Sequence, residues 1–276
     1  MSSLRTDNDQ SLTRKQRREQ ARAERKAVEQ ETLARAERNS RLTQLAVVTA
    51  VIVVGIVAIL VSSSGGGTKR IAPESAAGRA VKGEVTKLLA GIPQNGDALG
   101  NPTAPVTLQY YGDLECPVCR AFTVSALPSI ISNQVRAGKL RVEYHSLETA
   151  TREPEVFKAQ QVAALSAGRQ GKMWNFIETF YHEQGEEDTG YVTERFIQQI
   201  ARQVPGLNLA EWTGDRGQPA LANQVETDAQ TASNEHLEGT PAFLLGHSGG
   251  AMSQFEPSSV TEPGSFEAAV DKLAKS

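Results

Sequence analysis
Cysteine is almost absent from this chain, two in 276 residues, and methionine and histidine are scarce as well, at three and four. A structural zinc site needs two ligands beyond a Cys-x-x-Cys pair. The histidines, His145, His182, His236 and His247, contain no pair at H-x3-5-H spacing, so no second half of such a site is in view. Nor is there a Met-rich or His-rich cluster of the kind that would mark copper handling. Charge is absent from residues 42–68, while residues 1–41 carry eleven Lys and Arg against seven Asp and Glu. No cysteine adjoins that uncharged run, which excludes a lipid anchor on cysteine there. Basic excess is missing from the remainder: residues 69–276 carry a formal charge of −7, a poor match to nucleic acid.

The two cysteines sit together as Cys116-Pro117-Val118-Cys119. The run Val106-Thr107-Leu108-Gln109-Tyr110-Tyr111 before them is rich in strand formers and is broken by Gly112-Asp113. The run after them reads as a helix. A strand, a short loop and a Cys-x-x-Cys pair opening a helix form a redox geometry. Cys116 falls at the helix N-terminus, where unpaired N–H groups and the helix dipole favour a thiolate. Pro117 suits the first turn, where its missing N–H costs nothing. Cys119 follows one turn later, in reach of a disulfide with Cys116. Two other uses of the pair stay open: half of a metal site, or a structural disulfide whose short loop constrains the unfolded chain weakly.

Leu45 to Val61 is uncharged and apolar, and with its neighbours it approaches the ~20 residues that span a bilayer. The basic surplus before it orients the amino terminus toward the cytoplasm. A cleaved secretory signal is the competing reading, but the charged leader is long and no A-x-A site follows. The expected organisation is a cytoplasmic charged leader over 1–43, a transmembrane signal anchor over 44–63 and a stem over 64–91. The leader, with Arg14-Lys15-Gln16-Arg17-Arg18, reads as a solvated mixed-charge helix at the inner membrane surface. The stem opens on Ser62-Ser63-Ser64-Gly65-Gly66-Gly67, with a short helical stretch at 78–90. Residues 92–276 then suit one domain.

Within that domain a helix is expected from Cys116 to Ala137, bent at Pro128. Lys139 to Leu147 alternates as a strand. Helices follow over 155–167, 173–184, 193–203 and 219–238, with helical turns at 209–212. Pro241 to Gly246 returns to strand composition, and an amphipathic helix closes the chain over 265–275. Trp174, Phe176 and Phe180 read as core packing rather than a substrate platform. His145 reads as structural or surface, with no carboxylate partner evident from spacing. Glu115 reads as solvated on its loop, because carboxylates are rarely buried unpaired. His236, ahead of the Gly239 turn, is placed only loosely near the cysteines.

Four segments, in this order and spacing, carry a resemblance: Leu99-Gly100-Asn101-Pro102-Thr103-Ala104-Pro105-Val106-Thr107-Leu108, Asp113-Leu114-Glu115-Cys116-Pro117-Val118-Cys119, Gly171-Lys172-Met173-Trp174-Asn175-Phe176 and Gly239-Thr240-Pro241-Ala242-Phe243. The chain resembles the thioredoxin-fold oxidoreductases of the DsbA-like family, in particular their membrane-anchored bacterial members, over about residues 92–275. The resemblance implies an α/β thioredoxin fold with an inserted helical block at about 150–238, preceded by a single transmembrane helix. It also implies a cis peptide before Pro241 opposite the cysteines, with Thr240 meeting substrate; Thr240-Pro241 alone would permit an ordinary trans turn. The catalytic pair would be Cys116 and Cys119, with Pro117 and Val118 between them and Thr240 and Pro241 binding substrate. DsbA itself carries histidine where this chain has Val118, which can neither donate a hydrogen bond nor carry charge toward Cys116.

The expected activity is therefore that of a membrane-tethered extracytoplasmic thiol:disulfide oxidoreductase that donates disulfides to exported proteins, with no cofactor and no metal. Its partners would be exported chains with cysteine thiols or disulfides and a redox partner that resets the site, and the chain would act as a monomer without nucleic acid. A reductase or isomerase would use the same residues. A binding module holding copper(I) on the two sulfurs, or docking a partner, is the reading from another class.

Overall fold
The computed structural model describes residues 75–276. The leader and anchor expected over 1–63 lie outside the described residues, and among the described residues no helix is long and apolar enough to cross a membrane. A six-stranded sheet forms the centre, in the order β1-β2-β4-β3-β5-β6. Its middle strand is β3 (Val106–Gly112), buried along nearly its whole length as a strand covered on both faces must be. β4 (Leu140–Ser146) runs parallel to it, pairing Leu140 with Val106, so a crossover must join the two. That crossover is α2 (Pro117–Ile130), the helix that the cysteines open. β5 (Ala242–His247) lies antiparallel on the other side of β3, and β6 (Met252–Gln254) closes that edge. The opposite edge is a short hairpin, β1 (Gln94–Asn95) and β2 (Ala98–Leu99).

The alternation in β4 sorts its side chains cleanly: Leu140, Val142 and Tyr144 are buried, while Arg141, Glu143 and His145 are half-buried. On the first face the aromatic rings interlock, Tyr110 with Phe122 at 5.0 Å, Phe122 with Phe243 at 4.9 Å, and Phe243 with Phe266 at 5.0 Å. Phe122 comes from α2 and Phe266 from the terminal helix α8 (Gly264–Leu273), so both helices are locked onto one side of the sheet. Gly112 ends β3 because nothing larger fits: a Cβ there would stand 2.8 Å from the Tyr144 ring.

Between β4 and β5 the chain builds the inserted helices α3 (Pro154–Gly168), α4 (Met173–Glu183), α5 (Glu194–Gln203), α6 (Leu209–Asp215) and α7 (Pro219–Asn234). Trp174, Phe176 and Phe180 are fully buried in this block, where they pack rather than face substrate. Glu178 of α4 is buried too, with neither carboxylate oxygen bonded among the described residues. Burial, reinforced by Glu84, pushes its carboxyl up to about 8, so it is neutral at pH 7.

Three local expectations differ from the fold. The short helix expected over 78–90 is present as α1 (Ala76–Leu89), capped by Ser75, but rather than standing in a stem it buries Val85 and Leu89 in the core; two apolar residues four apart give one face enough to dock. The cysteine helix does not run evenly to Ala137. Past Pro128, which lacks an N–H, it widens into a π turn over Ile131–Val135. His145 has the carboxylate partner that spacing concealed: Asp228 of α7 lies 3.0 Å from its Nδ1. Burial works to lower the His145 pKa, but the hydrogen bond with Asp228 and the Glu143 carboxylate, 3.9 Å from Nε2, outweigh it and raise the pKa to about 9. The ring stacks on Tyr111 at 4.9 Å and helps fasten α7 to the sheet.

Candidate active site
The loop between β3 and α2 is built around one carboxylate. Asp113 is fully buried. Its Oδ1 accepts the Glu115 N–H at 3.0 Å, an Asx-type turn, and the Thr151 hydroxyl at 2.6 Å. Its Oδ2 accepts three successive N–H groups, from Thr149, Ala150 and Thr151, at 3.0, 2.9 and 2.9 Å. The segment after β4 is thereby tied to the segment before the cysteines, at the carboxyl end of two parallel strands. Helix α4 holds the same loop from the other side. The Tyr181 hydroxyl donates to Asp113 O at 3.1 Å, and the Gln184 amide donates to Leu114 O at 2.8 Å and to Cys116 O at 3.1 Å.

Cys116 is the N-cap of α2, with Pro117 in the first helical position. Its Sγ accepts the Cys119 N–H at 3.3 Å, as a capping oxygen would. As a thiol it donates to Thr240 O at 3.4 Å. The pKa of Cys116 is lowered to about 7, chiefly by the Cys119 thiol donating to it; burial opposes this, and Thr240 and the N–H groups of Cys119 and Val118 add to it. Cys119 is treated the opposite way. It is fully buried, and burial first, then the neighbouring Cys116, pushes its thiol well above the ordinary range. Both are free thiols here. One sulfur is thus prepared to ionise near neutrality and the other to hold its proton.

Thr240-Pro241 has a cis peptide bond and stands against Cys116. The Thr240 hydroxyl shares a hydrogen bond with that of Thr149. Val118, 46% exposed, is one of two large apolar side chains open to solvent among the described residues, and it lies two residues after Cys116. A groove of about 520 Å³ begins at the cis bond. His236, Leu237 and Glu238 line it together with Thr240, Pro241 and, across from them, Phe255, Glu256 and Pro257. His236 therefore stands beside the site by way of this groove.

Glu115 is corrected by the structure: it is 6% exposed rather than solvated. Burial raises its pKa, and the Thr151 hydroxyl beside it works against that rise. It faces a smaller hollow of about 270 Å³ with Thr151, Arg152 and Asp188. Asp113, read from sequence only as a strand breaker, is the hub of the loop; its place three residues before Cys116, ahead of a turn, was the available signal. Gln184, Thr149 and Thr151 carried none, since each reaches the site across a long stretch of chain.

A thioredoxin family model matches residues 94–256. The probable disulfide bond formation protein D of Bacillus anthracis is 23% identical over 149 residues, which cover 54% of this chain and 68% of that protein. The disulfide bond formation protein D of Bacillus subtilis is 22% identical over 152 residues, covering 53% and 66%. Among solved structures, oxidised BdbD from Bacillus subtilis superposes with a TM-score of 0.56 at 18% identity, covering 68% of this chain and 98% of that one. Wolbachia pipientis alpha-DsbA1 gives a TM-score of 0.54 at 17% identity, covering 68% and 92%. At these identities the structural likeness is one of fold.

Proposed function
This chain belongs to the thioredoxin family, and from that premise we propose that it is a thiol:disulfide oxidoreductase, tethered to the cell membrane, that donates disulfides to exported proteins. The observation that carries the reading is the opposed treatment of two sulfurs one helical turn apart: Cys116 held near pH 7 against the cis bond, Cys119 buried with its proton kept. Relatives named for disulfide bond formation support it.

In the proposed cycle a substrate thiolate attacks Sγ of Cys116 in the Cys116–Cys119 disulfide. The S–S bond breaks, its electron pair goes to Cys119, and Cys119 takes up a proton that its burial then retains. A mixed disulfide links substrate to Cys116. A second substrate thiolate attacks the substrate sulfur of that bond, the new disulfide leaves with the substrate, and Cys116 departs as a thiolate. The two electrons remain on the dithiol until a redox partner removes them. An extended substrate strand would lie along Thr240 and Pro241, pairing with exposed backbone, and Val118 would offer it an apolar contact.

The lowered Cys116 pKa supports the donor direction through linkage without deciding it, since a thiol near 7 also occurs in reductases of this fold. A thiol pKa depressed from 9 to about 7 stabilises the folded dithiol form fully above the unfolded value, and the gain is lost as pH falls through 7. Near neutrality part of it remains. Stabilising the reduced form makes the disulfide the stronger oxidant. The apolar run over 44–63 would keep the amino terminus in the cytoplasm and hold the domain on the outer side, where disulfides form and persist. A monomer suffices, because one chain supplies both sulfurs and the cis bond. Equilibrating the full chain, purified in detergent, against glutathione buffers tests the assignment. A disulfide donor is expected at about −120 to −180 mV, and a value near −250 mV or lower would turn it to a reductase.

A further inference from the structure
We infer that Gln184 is a positioning residue for the Cys116 thiolate, an assignment that rests on the reading of Cys116 as the sulfur that exchanges. Gln184 follows the last turn of α4, is half-buried, and uses one side-chain nitrogen to reach two carbonyls of the cysteine loop, Leu114 O at 2.8 Å and Cys116 O at 3.1 Å. A primary amide is the neutral side chain that presents two donors on one atom. The carbonyl of Cys116 also accepts the Arg120 N–H at 3.1 Å, so the amide adds to the first bond of the cysteine helix rather than replacing it.

Two consequences reach the sulfur. The oxygens of Leu114 and Cys116 carry partial negative charge within the loop that must hold a thiolate, and the amide hydrogens offset it. The Leu114–Glu115 and Cys116–Pro117 peptide planes are also fixed, which keeps Sγ of Cys116 in line with the Cys119 N–H at 3.3 Å. Neighbouring contacts hold the rest of the frame. Tyr181 donates to Asp113 O, and Arg120 Nε donates back to Tyr181 O at 2.9 Å. Gln184 is the member of this set that grips the carbonyl of the cysteine itself. Through it the inserted helices act on the chemistry as well as covering it.

The test compares the full chain with Gln184→Ala and Gln184→Glu, reading thiolate absorbance near 240 nm against pH, the glutathione equilibrium, and the urea midpoint. Alanine removes both donors. The Cys116 midpoint is expected to rise by about one pH unit, and the equilibrium, read at about pH 9 where the thiolate form dominates, to shift about tenfold toward the disulfide, which for two electrons is ~30 mV. Glutamate keeps the shape but sets a carboxylate against two carbonyls, so its rise is expected to be the larger. That order, glutamate above alanine above wild type, is one that loosened packing alone would not produce. Variants that match the wild-type midpoint and equilibrium while losing only stability would overturn the assignment. Failure of the wild-type chain to exchange with glutathione would instead remove the reading of Cys116, and the absorbance titration would still decide whether Gln184 positions that sulfur.

Discussion
Cys116→Ser is expected to abolish thiol–disulfide exchange completely, whereas Cys119→Ser should still attack a disulfide substrate and then stall as a mixed disulfide. The asymmetry follows from where each sulfur sits. Cys116 caps α2, accepts the Cys119 N–H and touches Thr240, so it ionises near pH 7 and meets whatever lies against the cis bond. A serine hydroxyl at 116 stays protonated and is a poor nucleophile toward sulfur. Cys119 is sealed beneath, and its role is to close the disulfide or release it. Serine at 119 keeps a hydroxyl able to donate to Cys116, so Cys116 should remain acidic; Cys119→Ala, which deletes the chief cause of that acidity, should raise its pKa as well as stall the cycle. Incubating each variant with a disulfide-bonded peptide and resolving the products by mass spectrometry checks this. A mixed disulfide on Cys119 of Cys116→Ser would reverse the assignment.

The largest expected loss of stability is at Asp113. Asp113→Ala strips the acceptor from four backbone N–H groups and the Thr151 hydroxyl, in a place closed to bulk water. Each unsatisfied buried donor costs about 1–3 kcal/mol. Water entering the cavity and relaxation of the 149–151 segment recover part of this, leaving about 3–5 kcal/mol, which is large for a single substitution. Asp113→Asn should lie close behind, because its amide nitrogen must face either the three donors at Oδ2 or the two at Oδ1. Urea unfolding of both variants measures the loss. A change below about 1 kcal/mol would mean that the loop is not held by this carboxylate.

What was legible in the sequence is what local pattern encodes. The β-forming run of β3 and the alternation of β4 identify the sheet, and the apolar face of residues 173–184 identifies α4. The strand–Cys-x-x-Cys–helix arrangement located the sulfurs and their order along the helix. What stayed hidden depends on chain brought from far away. Glu115 reads as a solvated loop residue until Thr151 arrives beside it from beyond β4. His145 looks unpartnered until α7 carries Asp228 to it. Helix α1 could be taken for a stem because its two buried residues, Val85 and Leu89, gain their core only when the domain closes around them. In each case burial was set by tertiary packing and overrode a sound local prior.

The account stands on the difference between the two sulfurs, and the pH dependence of alkylation measures it directly. The reduced full chain would be labelled briefly across pH 5–10 and the site of modification assigned by mass spectrometry. The expected result is labelling at Cys116 that rises through a midpoint of about 7 and levels off above it, with Cys119 unlabelled throughout. A midpoint at the ordinary thiol value of ~8.5, or labelling that appears first at Cys119, would contradict it.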